Sequence, residues 1–187
     1  MKRLFIGIPI ESSKSVQQVE IWKKDPQLNQ NVLNWTTPGN WHITLFFLGS
    51  TEESAIPELQ QLIEESFRDI QAYRTELRVV GVFPNTHNPK VLWLGLDDLR
   101  PFITAYSKLS GLLQKNGFSF DQKPLKPHLT IARVKRADNL LAFQSLLSKY
   151  QETVFDQVNI DNVVLFESIT TPDGPIYKPL FQKRLIR

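Results

Sequence analysis

Two short segments constrain this chain more than anything else in it: HITLFFLG at residues 42–49 and HLTIARV at residues 128–134. Each is an apolar run bounded by turn-forming residues, and each opens on a histidine followed two places later by a threonine. Side chains alternate across a strand, so residues i and i+2 share a face. His42 and Thr44 therefore stand on one side of their strand while Ile43, Leu45 and Phe47 line the other. His128 and Thr130 repeat the arrangement, with Leu129 and Ile131 opposite. The apolar sides need cover from helices, which leaves the imidazoles and hydroxyls facing something else. Of the three histidines, only His87 falls outside this frame; it lies in the turn-rich PNTHNP linker and reads as an exposed loop residue.

The surroundings of the two segments match as well. Lys2 to Ile10 reads as a strand. Ser12 or Ser13 caps a helix to about Lys24, with Val16, Val19, Ile21 and Trp22 on its buried side. Trp41 to Leu48 is a strand closed by Gly49, and Ser54 to Ile70 is a helix whose Ile56, Leu59, Leu62, Ile63 and Phe67 follow three-and-four spacing. Thr75 to Phe83 and Lys90 to Leu96 are strands. Leu99 to Lys115 is an amphipathic helix ended by Asn116-Gly117 in the manner of an αL cap. Then the plan restarts. His128 to Val134 is a strand, Asp138 caps a helix to Tyr150, and Val154 to Ile160 and Asn162 to Ser168 are strands. A last strand, Tyr177 to Leu185, follows the Thr171-Pro172-Asp173-Gly174 turn.

Each His-x-Thr strand is thus preceded by a strand and a helix and followed by a second helix and two further strands. The spacing predicts one α+β domain over residues 1–187, internally duplicated, with the second half beginning at about residue 99. Its economical form is bilobal: two similar lobes, each a mainly antiparallel sheet backed by helices, with a groove between them.

Composition narrows the chemistry. The chain has no cysteine, which excludes disulfides, thiolate catalysis and cysteine-ligated zinc. The first apolar run is brief and ends at Pro9, shorter than a signal peptide requires. No apolar stretch approaches the roughly 18–20 residues of a membrane span. A cytoplasmic monomer without membrane contact is the expectation. The net charge of +3 is mild, but Lys123, Lys126, Arg133, Lys135 and Arg136 gather around the second His-Thr pair, where a basic rim would favour phosphate or RNA.

Two histidines and two hydroxyls facing one another suit in-line substitution at phosphorus. The attacking and leaving oxygens lie on opposite sides of the phosphorus, so a base is needed on one flank and an acid on the other. Donors between them hold the non-bridging oxygens. Imidazole serves either role near neutral pH, and a threonine hydroxyl donates without adding charge. No carboxylate completes a metal-ligand set at recognised spacing, so neither metal nor cofactor is expected. P-loop and G-x-S-x-G signatures are absent.

With these residues in hand, HITLFFLG and HLTIAR resemble the paired H-x-T-x motifs of the two-histidine (2H) phosphoesterases. The similarity is greatest to their LigT-like branch, the RNA 2′,3′-cyclic phosphodiesterases. RLFIGIPI resembles that branch's first strand and GVFPNTHNPKVLWLGL its middle hairpin, so the likeness spans nearly the whole chain. It implies a bilobal fold and hydrolysis of a terminal 2′,3′-cyclic phosphate to a 2′-phosphomonoester, without a cofactor. By motif position His42 would be the proton donor and His128 the proton acceptor, with Thr44, Thr130 and Arg133 on the phosphoryl oxygens. Strict alternation puts Arg133 on the face opposite His128, so its part requires a strand end or a bulge. Phe46, on the face of His42 by the same count, is a candidate for stacking a base or for packing the groove wall. Asn34 stands where relatives often carry a basic residue.

Two other readings use the same residues. One is the reverse reaction, 2′–5′ RNA ligation. The other is a non-catalytic module that binds RNA ends, for which a matched acid and base would be superfluous. The substrate is RNA with a cyclic phosphate terminus, a tRNA fragment among the candidates, or a small cyclic nucleotide.

Overall fold

A computed structural model describes every residue except Lys123 and Asp173. The strands are β1 (Lys2–Pro9), β2 (Val32–Trp35), β3 (His42–Thr51), β4 (Tyr73–Phe83), β5 (Val91–Leu96), β6 (His128–Arg136), β7 (Val154–Ile160), β8 (Asn162–Thr171) and β9 (Gly174–Arg184). The helices are α1 (Ser13–Trp22), α2 (Ile56–Ser66), α3 (Arg100–Lys115) and α4 (Leu140–Lys149). No helix among the described residues is long and apolar enough to cross a membrane.

The strands form one sheet in the order β7-β4-β5-β6-β3-β1-β8-β9, with β2 added to β6. All pairings between these strands are antiparallel. The flanks do not follow the two halves of the sequence: β4 and β5 lie with β6 and β7 on one side and β1 and β3 with β8 and β9 on the other, with the two His-x-Thr strands β3 and β6 at the centre. The strands β3 and β6 meet there through one residue pair, Ile43 with Leu129, and both side chains are fully buried. Helices cross this seam. The helix α1 follows β1 but packs on β7 in the other flank, while α2 packs on α3 and on β9. Trp22 of α1 sets its ring edge-on to Tyr150 and Phe155, and Phe67 packs on Phe102 of α3. The flank holding β7 is therefore covered partly by a helix that follows a strand of the other flank.

Local signals explain most element ends, and three expectations need correction. Ser12 caps α1 by accepting from the Ser15 amide, but the buried stripe is Ser15, Val19 and Trp22. Ile21 lies off that stripe and is 61% exposed. Asn139, not Asp138, caps α4, its side chain accepting from the Ala142 amide; Asp138 instead takes a 2.6 Å bond from Arg136. Gly49 does not close β3. The strand continues to Thr51, and Gly49, at φ +69°, sits opposite Leu4 at a register shift, a conformation that residues with a Cβ rarely adopt. The Asn116-Gly117 cap of α3 is present, with Phe118 donating to the Leu113 carbonyl and Gly117 to that of Gln114. In the turn before β9, Asp173 lies outside the described residues, as does Lys123 of the expected basic rim.

On the β4–β5 pair the Trp93 ring lies directly over Gly81, so an added Cβ there would overlap the indole. Gly81→Ala should destabilise the protein by about 1–3 kcal/mol, the usual cost of overpacking, read as a lower urea midpoint. An unchanged midpoint would mean that the indole moves aside freely.

Candidate active site

The Ile43–Leu129 pair sets the site. In an antiparallel pair, residues before and after a bridge face each other crosswise, which places His42 beside Thr130 and Thr44 beside His128. Ile43 and Leu129 point into the core, so these four residues share the opposite face. Diagonal neighbours on such a face stand roughly 7–8 Å apart, a span that accommodates one phosphoryl group between the imidazoles.

Both rings are held alike. Nδ1 of His42 lies 2.7 Å from the Asn40 carbonyl, and Nδ1 of His128 lies 2.6 Å from that of Lys126. A carbonyl only accepts, so Nδ1 carries the proton in each and Nε2 is left for chemistry. Aromatic rings fix the planes. Phe5 and Tyr177 pack on His42 at 4.7 and 5.0 Å between centroids, and Phe83 meets His128 edge-on at 4.9 Å. The Asn40 side chain also donates to the Pro175 carbonyl at 2.8 Å. The β8–β9 hairpin therefore braces the residue that orients His42.

The expected alternation fails in both strands at equivalent points. Against β1, Ile6 faces Phe46 but Gly7 faces Thr44, leaving Leu45 as an extra residue. Against β5, Leu92 faces Ala132 but Trp93 faces Thr130, leaving Ile131 extra. Each bulge lies three residues after its histidine and reverses which residues face the core. Leu45, Phe46, Ile131 and Ala132 are all buried. The fifth residue after each histidine, Phe47 in one strand and Arg133 in the other, comes out on the open face. Arg133 thus joins the His128 face through a bulge, as strict alternation demanded for it to reach that side. Phe46 does not share the face of His42; it is 1% exposed and stacks on Tyr106 in the core. Phe47, 37% exposed, takes that place, with the Arg3 guanidinium 5.0 Å over its ring.

Two adjoining cavities open on this face. One of about 210 Å³ contains His42, Thr44, Thr130 and Arg133, with Arg3, Tyr177 and Asn34 on its walls. Asn34 is the cross-strand partner of Arg133. The other, of about 700 Å³, contains His128, and Thr44 and Phe47 border both. Of the basic rim, Arg133 and Lys126 line these cavities, Lys135 is exposed and Arg136 is engaged by Asp138. His87 is exposed in its turn. Sequence reasoning missed Arg3, Phe5, Asn40, Phe47, Tyr177 and the strand β2. Only register, which the composition of these segments does not encode, brings them here.

Burial pushes the His42 imidazolium below the usual histidine range, against the stabilising Asn40 carbonyl, with His128 and Arg133 adding to the depression. Burial also lowers His128, opposed by the Lys126 carbonyl and reinforced by Arg133. Both rings are therefore neutral at pH 7. Burial raises the Tyr177 phenol, partly offset by Arg133 and Arg3. Among the described residues, no cluster of three or more His, Asp or Glu side chains is placed to hold a metal ion.

The model of the 2′-5′ RNA ligase superfamily matches residues 11–170. The RNA 2′,3′-cyclic phosphodiesterase of Thermotoga maritima is 30% identical over 186 residues, covering 96% of this chain and 94% of the relative. Among solved structures, TT0787 of Thermus thermophilus superposes with a TM-score of 0.79 at 25% identity, covering 98% of this chain and 97% of the other. Apo LigT of Escherichia coli gives 0.73 at 20% identity over 100% and 98%, a likeness of fold. The chain belongs to the 2′-5′ RNA ligase superfamily, the two-histidine phosphoesterases that its paired motifs resemble.

Proposed function

We propose that this protein is a metal-independent RNA 2′,3′-cyclic phosphodiesterase that leaves a 2′-phosphomonoester. The observation that carries this reading is the common face of the two His-x-Thr units, each with Nδ1 tied to a carbonyl and Nε2 free. The name borne by the Thermotoga relative supports the same substrate class.

The cyclic phosphate sits between the imidazoles, its non-bridging oxygens accepting from Thr44, Thr130 and Arg133. His128 Nε2 takes a proton from water as the water oxygen bonds to phosphorus. The P–O3′ bond opens on the far side, and His42 Nε2–H gives its proton to O3′. The base ends protonated and the acid neutral, and exchange with solvent restores both. The depressed His128 suits a base. His42 must bind a proton before it can act, and the arriving phosphate anion favours that by stabilising the imidazolium.

For the free enzyme, kcat/KM requires His128 neutral and His42 protonated. Both titrate below the ordinary value of about 6.5, so kcat/KM should peak below pH 6.5 and fall as pH rises through the His42 pKa. An optimum well above 7 would contradict the assignment. Arg133 holds both rings down. In Arg133→Gln, NMR titration without substrate should therefore show both imidazole pKa values raised; if neither moves, Arg133 does not face them.

His42→Ala and His128→Ala should each lower kcat by about 10²–10⁴ with the circular dichroism spectrum intact, assayed on RNA ending in a 2′,3′-cyclic phosphate. A chelator should leave the wild-type rate unchanged. Near-normal turnover by either variant would remove the paired-histidine mechanism.

A further inference from the structure

The turn of Arg133 onto the open face rests on the bulge at Ile131, and that bulge has a second neighbour. Beyond the Ile43–Leu129 pair β3 leaves β6, and β2 takes the vacated edge, where Trp35 faces Ala132 and Asn34 faces Arg133. One residue further, the Thr36 amide donates to the Ile131 carbonyl at 2.9 Å. Ile131 has no partner on β5 and its side chain is fully buried. A backbone group that the main ladder leaves out is thus met by the chain at the end of β2. The Trp41 Nε1–H donates in turn to the Thr36 carbonyl at 3.2 Å. At its other end β2 is tied down by Asn31, which is buried and lines neither cavity. The Asn139 amide donates to the Asn31 side-chain oxygen at 2.8 Å, and Asn31 Nδ2 donates to the Leu28 carbonyl at 3.2 Å. Asn139 caps α4, the helix that follows β6, so both ends of β2 are fixed to β6 or to its continuation. A strand of only four residues needs such anchors.

We propose that β2 is a clamp on the β6 bulge and that Asn31 is a positioning residue for Arg133, acting through β2 from outside the cavities. With β2 in place, the segment after the bulge is held on both edges, by Val91 and Leu92 of β5 on one side and by Asn34 and Trp35 on the other. With β2 loosened it is held on one edge only. The extra residue then shifts along β6, or the strand returns to strict alternation, against less resistance. Either change turns the guanidinium away from the face of His128 and Thr130. The part that Arg133 plays at the phosphate rests on the phosphodiesterase reading, whereas the clamp is a property of the free protein.

Asn31→Ala removes the anchor without altering any group that lines the cavities. Arg133 holds both imidazoles down, so its displacement is read by NMR titration of the free protein. Both imidazole pKa values should rise in Asn31→Ala, as in Arg133→Gln, and Asn31→Ala added to Arg133→Gln should give no further rise. On RNA ending in a 2′,3′-cyclic phosphate, kcat/KM of Asn31→Ala should fall about tenfold, the loss expected of one charge-assisted bond. Trp41→Phe keeps an aromatic ring and deletes only the Nε1–H on the Thr36 carbonyl. It should move the same titrations in the same direction, and it carries the test if Asn31→Ala does not fold. Unmoved imidazoles in a folded variant with a lowered Tm would make Asn31 merely structural and overturn the clamp. So would a rise that adds to that of Arg133→Gln. Absence of wild-type hydrolysis would remove the phosphodiesterase reading but not the clamp, which the titrations decide.

Discussion

One residue pair, Ile43 with Leu129, holds the functional part of this molecule in register. Each half of the chain contributes one of the two side chains, and their burial fixes which residues face away. A slip of one residue in either strand would turn a histidine and its threonine into the core. The helix that crosses from one flank to the other resists such a slip, because the flank holding β7 relies on it for part of its cover. The site is therefore specified by the core beneath it.

The paired bulges extend that logic. A strand of strict alternation would present every second residue, and the fifth position after each histidine would be buried. One extra residue in each of the two strands reverses that parity, exposing a cation in one and an aromatic ring in the other. The departure from two-fold likeness is informative: Arg133 brings charge to the smaller cavity, while Phe47, with Arg3 over its ring, borders both cavities. Similar backbones thus carry different side chains onto one open face.

Much of this was legible in the residues. Periodicity located the helices and most strands, and the recurrence of His-x-Thr singled out four residues that the sheet brings together. The need for a bulge at Arg133 followed from alternation alone. What stayed hidden depends on register. Phe46 and Phe47 are chemically identical neighbours, and no local signal tells which one a bulge turns outward. The strand β2 is four residues long and exists because β6 offers it an edge. Tyr177 and Asn40 reach His42 only because a hairpin far along the chain folds back beside it. Asn139 displaced Asp138 as a cap because Asp138 already had Arg136.

The electrostatics of the pair follow from the same burial. Two half-sheltered imidazoles beside an arginine prefer to be neutral, which suits a base at once and an acid only after an anion arrives. The central claim is that both Nε2 atoms address one phosphorus from opposite sides. The most direct test is a crystal structure with a nucleoside 2′,3′-cyclic vanadate, whose five-coordinate centre mimics the in-line geometry. His42 and His128 Nε2 should each lie within hydrogen-bond reach, about 2.6–3.2 Å, of opposite apical oxygens. Both rings on one side of the vanadium, or one of them out of contact, would contradict that claim.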